Sequence, residues 1–218
     1  MYFASRAQAG RSLASQLVAK YRYEDCAIVA LNDGGVVVAA QIAVQLHCVI
    51  NLLMYEEIKI PMEPHAIAGI AHNGAYVSNN YYQPSEAEEL SAEYYQFIEQ
   101  QKTEKMSAMQ RLLGHGGVVR KDLLKGHVII LVSDGLRTSF ELELAAEYLK
   151  PIDYTKLVVA TPLASVEAVD RMHVLADDLY CLSVVESALE TDHYYDQRDV
   201  PSHDKVVEII EKIILNWR

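Results

Sequence analysis

The sequence is poor in residues that break or staple a chain. Of 218 residues, 10 are glycine, 6 proline and 3 cysteine, which excludes collagen-like, low-complexity and disulfide-scaffold classes. No stretch reaches about 18 uninterrupted apolar residues, the length that marks a membrane-spanning helix. The first six residues lack the basic-then-apolar order of a secretion signal. Positive charge is also short: 19 Lys+Arg against 30 Asp+Glu give a formal net charge of −11. Nucleic-acid binders neutralise phosphates with clustered Lys and Arg. The longest basic group here, Arg120 and Lys121 with Lys125, is small and reads as a solvated turn rather than a docking site. The three cysteines, Cys26, Cys48 and Cys181, cannot all pair internally, and each lies in or beside an apolar run. They read as buried thiols in a reducing cytoplasm.

What is present is ample apolar material. Apolar residues make up 51% and charged residues 22%, which excludes a disordered chain. The size suits a single domain, 1–218, with a sizeable insertion.

Short continuous apolar runs, the mark of strands buried on both faces, alternate with longer amphipathic ones. The pattern predicts a helix over 5–20, a strand over 26–31, a helix over 36–46 and a strand over 48–54. Further strands are predicted over 127–132, 156–161 and 179–184, with helices over 139–150, 164–175 and 203–217. Strands alternating with helices imply a three-layer α/β domain on a mostly parallel sheet of about five strands. Residues about 59–117 interrupt that alternation as a hood. Asn73-Gly74 marks a hairpin within 66–78. A long helix over 84–113 opens on Pro84 and acidic residues and carries Lys105 and Arg111 late, which suits the helix dipole. The last helix bears Val206, Ile209, Ile210, Ile213 and Trp217, an apolar face that must bury against the core or another subunit.

In open parallel sheets, ligands bind beyond the carboxyl ends of the strands. Two such ends carry distinctive loops: Asn32-Asp33-Gly34-Gly35, and Ser133-Asp134-Gly135-Leu136-Arg137-Thr138-Ser139-Phe140-Glu141. Each is either a tight turn or a place where backbone approaches an anion at a helix start. Together with Phe3-Ala4-Ser5-Arg6 and Pro61-Met62-Glu63-Pro64, in this order and spacing, they resemble the type I phosphoribosyltransferase family, in particular bacterial members with a long helical insertion. The likeness covers nearly the whole chain.

The resemblance implies a pyrophosphate loop at Asp33, Gly34 and Gly35, and a phosphoribosyl pyrophosphate loop from Ser133 to Glu141. Several positions depart from the family pattern. Its two acidic residues become Ser133 and Asp134; its phosphate-cradle glycine and second threonine become Ser139 and Glu141. Its basic residues fall on Asp33, Glu56 and Glu57. An acid within about 4 Å of a phosphate oxygen costs roughly 1 kcal/mol in water and about 4 kcal/mol at an effective dielectric of 20. Efficient use of so polyanionic a substrate is therefore not expected.

Two functional readings follow. In the first, the chain is a weak or inactive transferase serving as a binding or regulatory module. In the second, it is an active magnesium-dependent phosphoribosyltransferase acting on a base or other small nucleophile. There Asp134 would contact the ribose or the metal, Gly34 and Gly35 the pyrophosphate, and Thr138, Ser139 and Phe140 the 5-phosphate. A small phosphorylated ligand and a homo-oligomer are the implied partners. Thr138 and Glu141 also match a capping box, which would fill the phosphate cradle with the Glu141 carboxylate. Arg137 is either a surface partner of Asp134 or Glu141 or the anchor of a smaller anion, with Lys59 and Arg6 as further cations. His65, His72 and His115 lack the spacing of a metal pair. Tyr194-Tyr195-Asp196 is either a cleft wall or a surface turn. Tyr81, Tyr82, Tyr94 and Tyr95 suit an interface.

Overall fold

The computed structural model describes residues 2–114, 123–186 and 190–215. Five strands form one parallel sheet: β1 (Cys26–Ala30), β2 (Val49–Leu52), β6 (Val128–Val132), β7 (Lys156–Ser165) and β8 (Asp178–Val185). Their order across the sheet is β2-β1-β6-β7-β8. This is the α/β architecture expected from the apolar runs. β1 and β6 are wholly buried because both of their faces are covered.

Side chains alternate across the sheet and so feed two cores. On one face Ile28, Ala30 and Ile130 meet α1 (Arg6–Tyr21), α2 (Asp33–Leu46) and α7 (His203–Leu215). On the other, Ala27, Val29 and Leu131 meet α5 (Phe140–Leu149) and α6 (Val166–Leu175). The apolar face of α7 is accounted for within the chain, since Val206, Ile210 and Ile213 are buried in the first core. Trp217 lies outside the described residues.

A second, antiparallel sheet joins β3 (Tyr55–Ile58), β4 (Ala68–Ala71) and β5 (Tyr76–Ser78), in that order. The Asn73-Gly74 hairpin is present, with Gly74 at φ 88°. β3 was not expected. The predicted long helix is two helices, α3 (Pro84–Glu93) and α4 (Tyr95–Gly114), separated at Tyr94. This hood has its own small core of Ile58, Ile60, Ile67, Ile70, Ile98 and Met109. Tyr82 is buried inside it and donates to Glu63 Oε2 at 3.2 Å and His65 O at 3.1 Å, whereas Tyr81 and Tyr95 are exposed. Among the described residues, no helix is long and apolar enough to cross a membrane.

Candidate functional site

Both distinctive loops lie at the carboxyl ends of neighbouring central strands, β1 and β6, and they meet there. α2 begins at Asp33, earlier than the apolar periodicity indicated, because Asn32 caps it: its Oδ1 accepts from the Gly35 amide at 2.6 Å. Gly34 and Gly35 are therefore the first turn of a helix rather than a free loop. Asn32 Nδ2 also donates to Ser133 Oγ at 3.2 Å, which ties the two loops together.

Asp134 is turned inward. Its Oδ2 accepts from Arg6 Nε at 2.7 Å, and both side chains are almost wholly buried. Arg6 further pairs with Asp192 and, at 2.9 Å, with Asp199, and its guanidinium lies 4.5 Å from the centre of the Tyr195 ring. The Tyr195 hydroxyl donates to the Asp134 backbone oxygen at 2.5 Å. Tyr194-Tyr195-Asp196 is thus neither a cleft wall nor a surface turn; Tyr195 is a buried brace of this network. Burial pushes the Asp134 carboxyl above its ordinary range, and Arg6 pulls it back without cancelling that rise.

The glycines of both loops make room for protein. A Cβ on Gly34 would lie 2.0 Å from Asp134 Oδ2, one on Gly35 2.9 Å from Val132 O, and one on Gly135 2.8 Å from Thr191 Cγ2. The space that would let backbone approach a ligand is filled by neighbouring residues.

The rest of the second loop is strapped to β7. Leu136 N donates to Leu163 O and Ser165 N to Leu136 O, each at 2.9 Å. β7 runs to Ser165 because its ladder with β8 continues to Val185, with Leu136 adding a single bridge to Ala164, so α6 starts at Val166. Arg137 and Thr138 are exposed, while Ser133, Asp134, Leu136, Ser139 and Phe140 are buried.

The expected capping box is absent. Thr138 Oγ1 receives only the Phe140 amide, at 3.4 Å, and α5 starts from Ser139 with no side-chain cap of its own. Glu141 turns away to accept the Tyr55 hydroxyl at 2.9 Å on Oε1. Burial raises its carboxyl to about 7. The start of α5 is satisfied instead by Glu167 of α6. Its Oε1 accepts from the Ser139 amide at 3.1 Å and from Ser139 Oγ at 2.6 Å. The cradle does hold a carboxylate, but one that local sequence spacing could not identify.

Arg137 pairs with Glu190 at 3.3 Å, not with Asp134 or Glu141. Glu57 pairs with Lys59 at 3.0 Å and Glu56 with Lys105 at 3.3 Å. A cavity of about 620 Å³ opens beyond β1 and β2 beneath α4, between Asp33, Glu56, Glu57, Lys105 and His203. Burial raises the Asp33 carboxyl, and His203, absent from the expected site, draws it back down. A second cavity of about 240 Å³ lies between Tyr55, Lys59, His65, Arg137, Thr138 and Glu141.

Of the other candidates, His72 sits 5.3 Å from the Tyr148 ring with its Nδ1 3.2 Å from Met54 O, and His115 lies outside the described residues. Cys26 and Cys48 are buried, and Cys181, expected in the interior, is only half-buried. Burial raises all three thiols, Cys26 to about 11, so none is an activated nucleophile. Asp134, expected as the metal ligand, has its carboxylate engaged by Arg6 and lies beside a serine rather than a second acid. Among the described residues no group of three His, Cys, Asp or Glu side chains is placed to hold a metal ion. These residues do not fit a resident magnesium.

Comparison with known proteins agrees with this geometry at the level of the family. Residues 2–196 match the phosphoribosyl transferase domain model. Two curated Mycobacterium tuberculosis proteins, from strains CDC 1551 / Oshkosh and ATCC 25618 / H37Rv, are named as candidate phosphoribosyl transferases. Each is 24% identical over 96% of this chain, which spans 46% of their length, about half. The crystal structure of TT1426 from Thermus thermophilus superposes with a TM-score of 0.70 at 24% identity, covering 97% of this chain and 99% of that one. The match from the first helix through the Tyr195 brace establishes that the chain belongs to the phosphoribosyl transferase domain family.

Proposed function

We propose that this member of the family is a weak or inactive transferase that acts as a binding or regulatory module. The observation that carries this reading is the buried ion pair between Asp134 and Arg6. A loop carboxylate must face the ligand to order ribose hydroxyls or a metal. Here it faces the opposite way, against a cation with two further carboxylate partners. Breaking a buried pair by withdrawing one partner costs about 3–5 kcal/mol, so binding phosphoribosyl pyrophosphate through Asp134 would have to overcome that penalty.

Two further features support it. Glu167 occupies the start of α5, where the 5-phosphate would need free amides. Asp33, Glu56 and Glu57 stand around the larger cavity, where a pyrophosphate would meet carboxylates.

Calorimetric titration with phosphoribosyl pyrophosphate and magnesium, then with pyrophosphate alone, tests the reading. The expected result is no binding in the micromolar range and no ligand-dependent rise in melting temperature. Micromolar affinity would overturn the claim that the loops no longer hold the sugar diphosphate, and its turnover with any base would establish the active magnesium-dependent transferase instead.

A further inference from the structure

The smaller cavity carries one carboxylate, Glu141, that forms no ion pair, although Lys59 and Arg137 line the same space. Each of its cations is already paired, Lys59 with Glu57 at 3.0 Å and Arg137 with Glu190 at 3.3 Å. Glu141 pairs with neither. Its Oε1 takes the Tyr55 hydroxyl, and its Oε2 is buried without a hydrogen-bond partner. A buried carboxyl oxygen left unbonded costs free energy unless something outside the chain completes it. Beside this cavity lies a second, of about 380 Å³, which shares His65, Asn79 and Thr138 with it and adds Tyr81 and Glu167. The His65 and Tyr81 rings lie 4.0 Å apart at that junction, and Tyr81 is largely exposed. Acidic groups with an aromatic face suit an organic cation.

We infer that the cavity at Glu141 is a binding site for a small organic cation bearing N–H donors, of the guanidinium or primary ammonium class. This rests on the reading that the loop no longer holds a phosphate, and it names what the same place holds instead. The charge of the cation balances Glu141, and its N–H groups reach the carboxyl once a side-chain rotation turns the buried Oε2 toward the cavity. Its alkyl end runs toward Tyr81 and His65.

The electrostatics of the site agree. Burial, with Asp134 and Glu57 nearby, holds the Glu141 carboxyl up near 7, while Tyr55 and Arg137 oppose that rise. A bound cation favours the carboxylate, so the Glu141 proton passes to solvent on binding. Apparent affinity then rises about tenfold between pH 6 and pH 8 as the carboxylate fraction grows.

The test is calorimetric titration of the full chain with methylguanidinium chloride at constant ionic strength, at pH 6 and pH 8, in two buffers of different ionisation enthalpy. The expected result is saturable binding with proton release at the lower pH, weakened at least tenfold in Glu141→Gln. Circular dichroism and melting of that variant show that it is folded. His65→Asn should leave the pH dependence in place. Tetramethylammonium, which has no N–H, should not compete. Absent binding, binding unchanged in Glu141→Gln, pH dependence lost in His65→Asn, or equal competition by tetramethylammonium overturns the assignment. Inorganic phosphate and phosphoribosyl pyrophosphate with magnesium are titrated in parallel. If neither they nor methylguanidinium bind, only this inference falls. If the phosphates bind and Glu141→Gln strengthens them, both readings fall.

Discussion

Arg6 Nε lies 2.7 Å from Asp134 Oδ2, a contact that joins the first turn of α1 to the loop after β6 across 128 positions of sequence. It anchors a network that also draws in Asp192, Asp199 and Tyr195. The guanidinium is held protonated far above its ordinary range; its carboxylate partners outweigh the burial that acts against it. Asp134→Ala should therefore leave a buried, under-compensated cation and destabilise the fold by about 3–5 kcal/mol. For a chain of this size that corresponds to a melting point lower by about 6–20 °C. Replacing both partners with apolar residues, Arg6→Met with Asp134→Leu, should cost less than the single change. Thermal melts of the two variants against the parent check the order. A single variant as stable as the parent would show that the pair does not anchor this end of the sheet.

Gly34 should be among the least replaceable residues, for a reason that does not involve ligand. Its missing Cβ is the space that Asp134 and Arg6 occupy. Gly34→Ala should cost about 1–3 kcal/mol from overpacking. Because the clash is with the Asp134 carboxyl, the penalty should shrink in an Asp134→Ala background. A double-mutant cycle measured by urea unfolding reads this coupling directly. Additive effects would mean that the backbone shifts to accommodate the methyl without involving Asp134.

The sheet was legible in the sequence because β1 and β6 are unbroken apolar runs, each leading through a loop into a helix. The hood was less so. β3 reads Tyr55-Glu56-Glu57-Ile58, with only its ends apolar, and it gains strand geometry by pairing with β4. The break at Tyr94 carries neither glycine nor proline, so nothing local announces it. At the site, sequence order correctly brought the two loops to adjacent strands. It could not foresee that Asp134 faces Arg6 or that Glu167 caps α5, since those partners are 128 and 28 residues away. The Thr138 and Glu141 spacing fitted a capping box, but packing against Tyr55 drew the carboxylate away. A local motif yielded there to a tertiary hydrogen bond.

Glu141 should make stability fall as pH rises. Its folded carboxyl titrates at about 7 against an ordinary value of 4.5. Between these values the unfolded chain has released the proton and the folded chain still holds it, so raising the pH favours unfolding. The contribution is fully favourable below about pH 4.5 and exhausted above about pH 7, an amplitude of up to about 3 kcal/mol. Glu141→Gln keeps a neutral side chain of similar shape at all pH values. The variant should match the parent near pH 5 and exceed it at pH 8. Urea melts at both pH values measure the difference, and a difference that does not change with pH would place the Glu141 titration at its ordinary value.

Glu167 offers the complementary test, because it sits where an anion would sit. Its Oε1 accepts two hydrogen bonds from Ser139, one from the amide of this residue just before α5 and one from its hydroxyl, while Asn80 Nδ2 donates to the same Ser139 Oγ at 2.7 Å. Glu167→Ala should cost about 1–3 kcal/mol, since charged partners make the stronger bonds and the start of α5 loses its acceptor. The lost carboxylate also reopens a helix start to outside anions. The variant, unlike the parent, should then regain part of the lost melting temperature in millimolar inorganic phosphate, by mass action on the folded state. Chloride at equal ionic strength should not reproduce the effect. If parent and variant respond to phosphate alike, Glu167 is a structural cap alone and anion access to α5 is governed elsewhere in the loop.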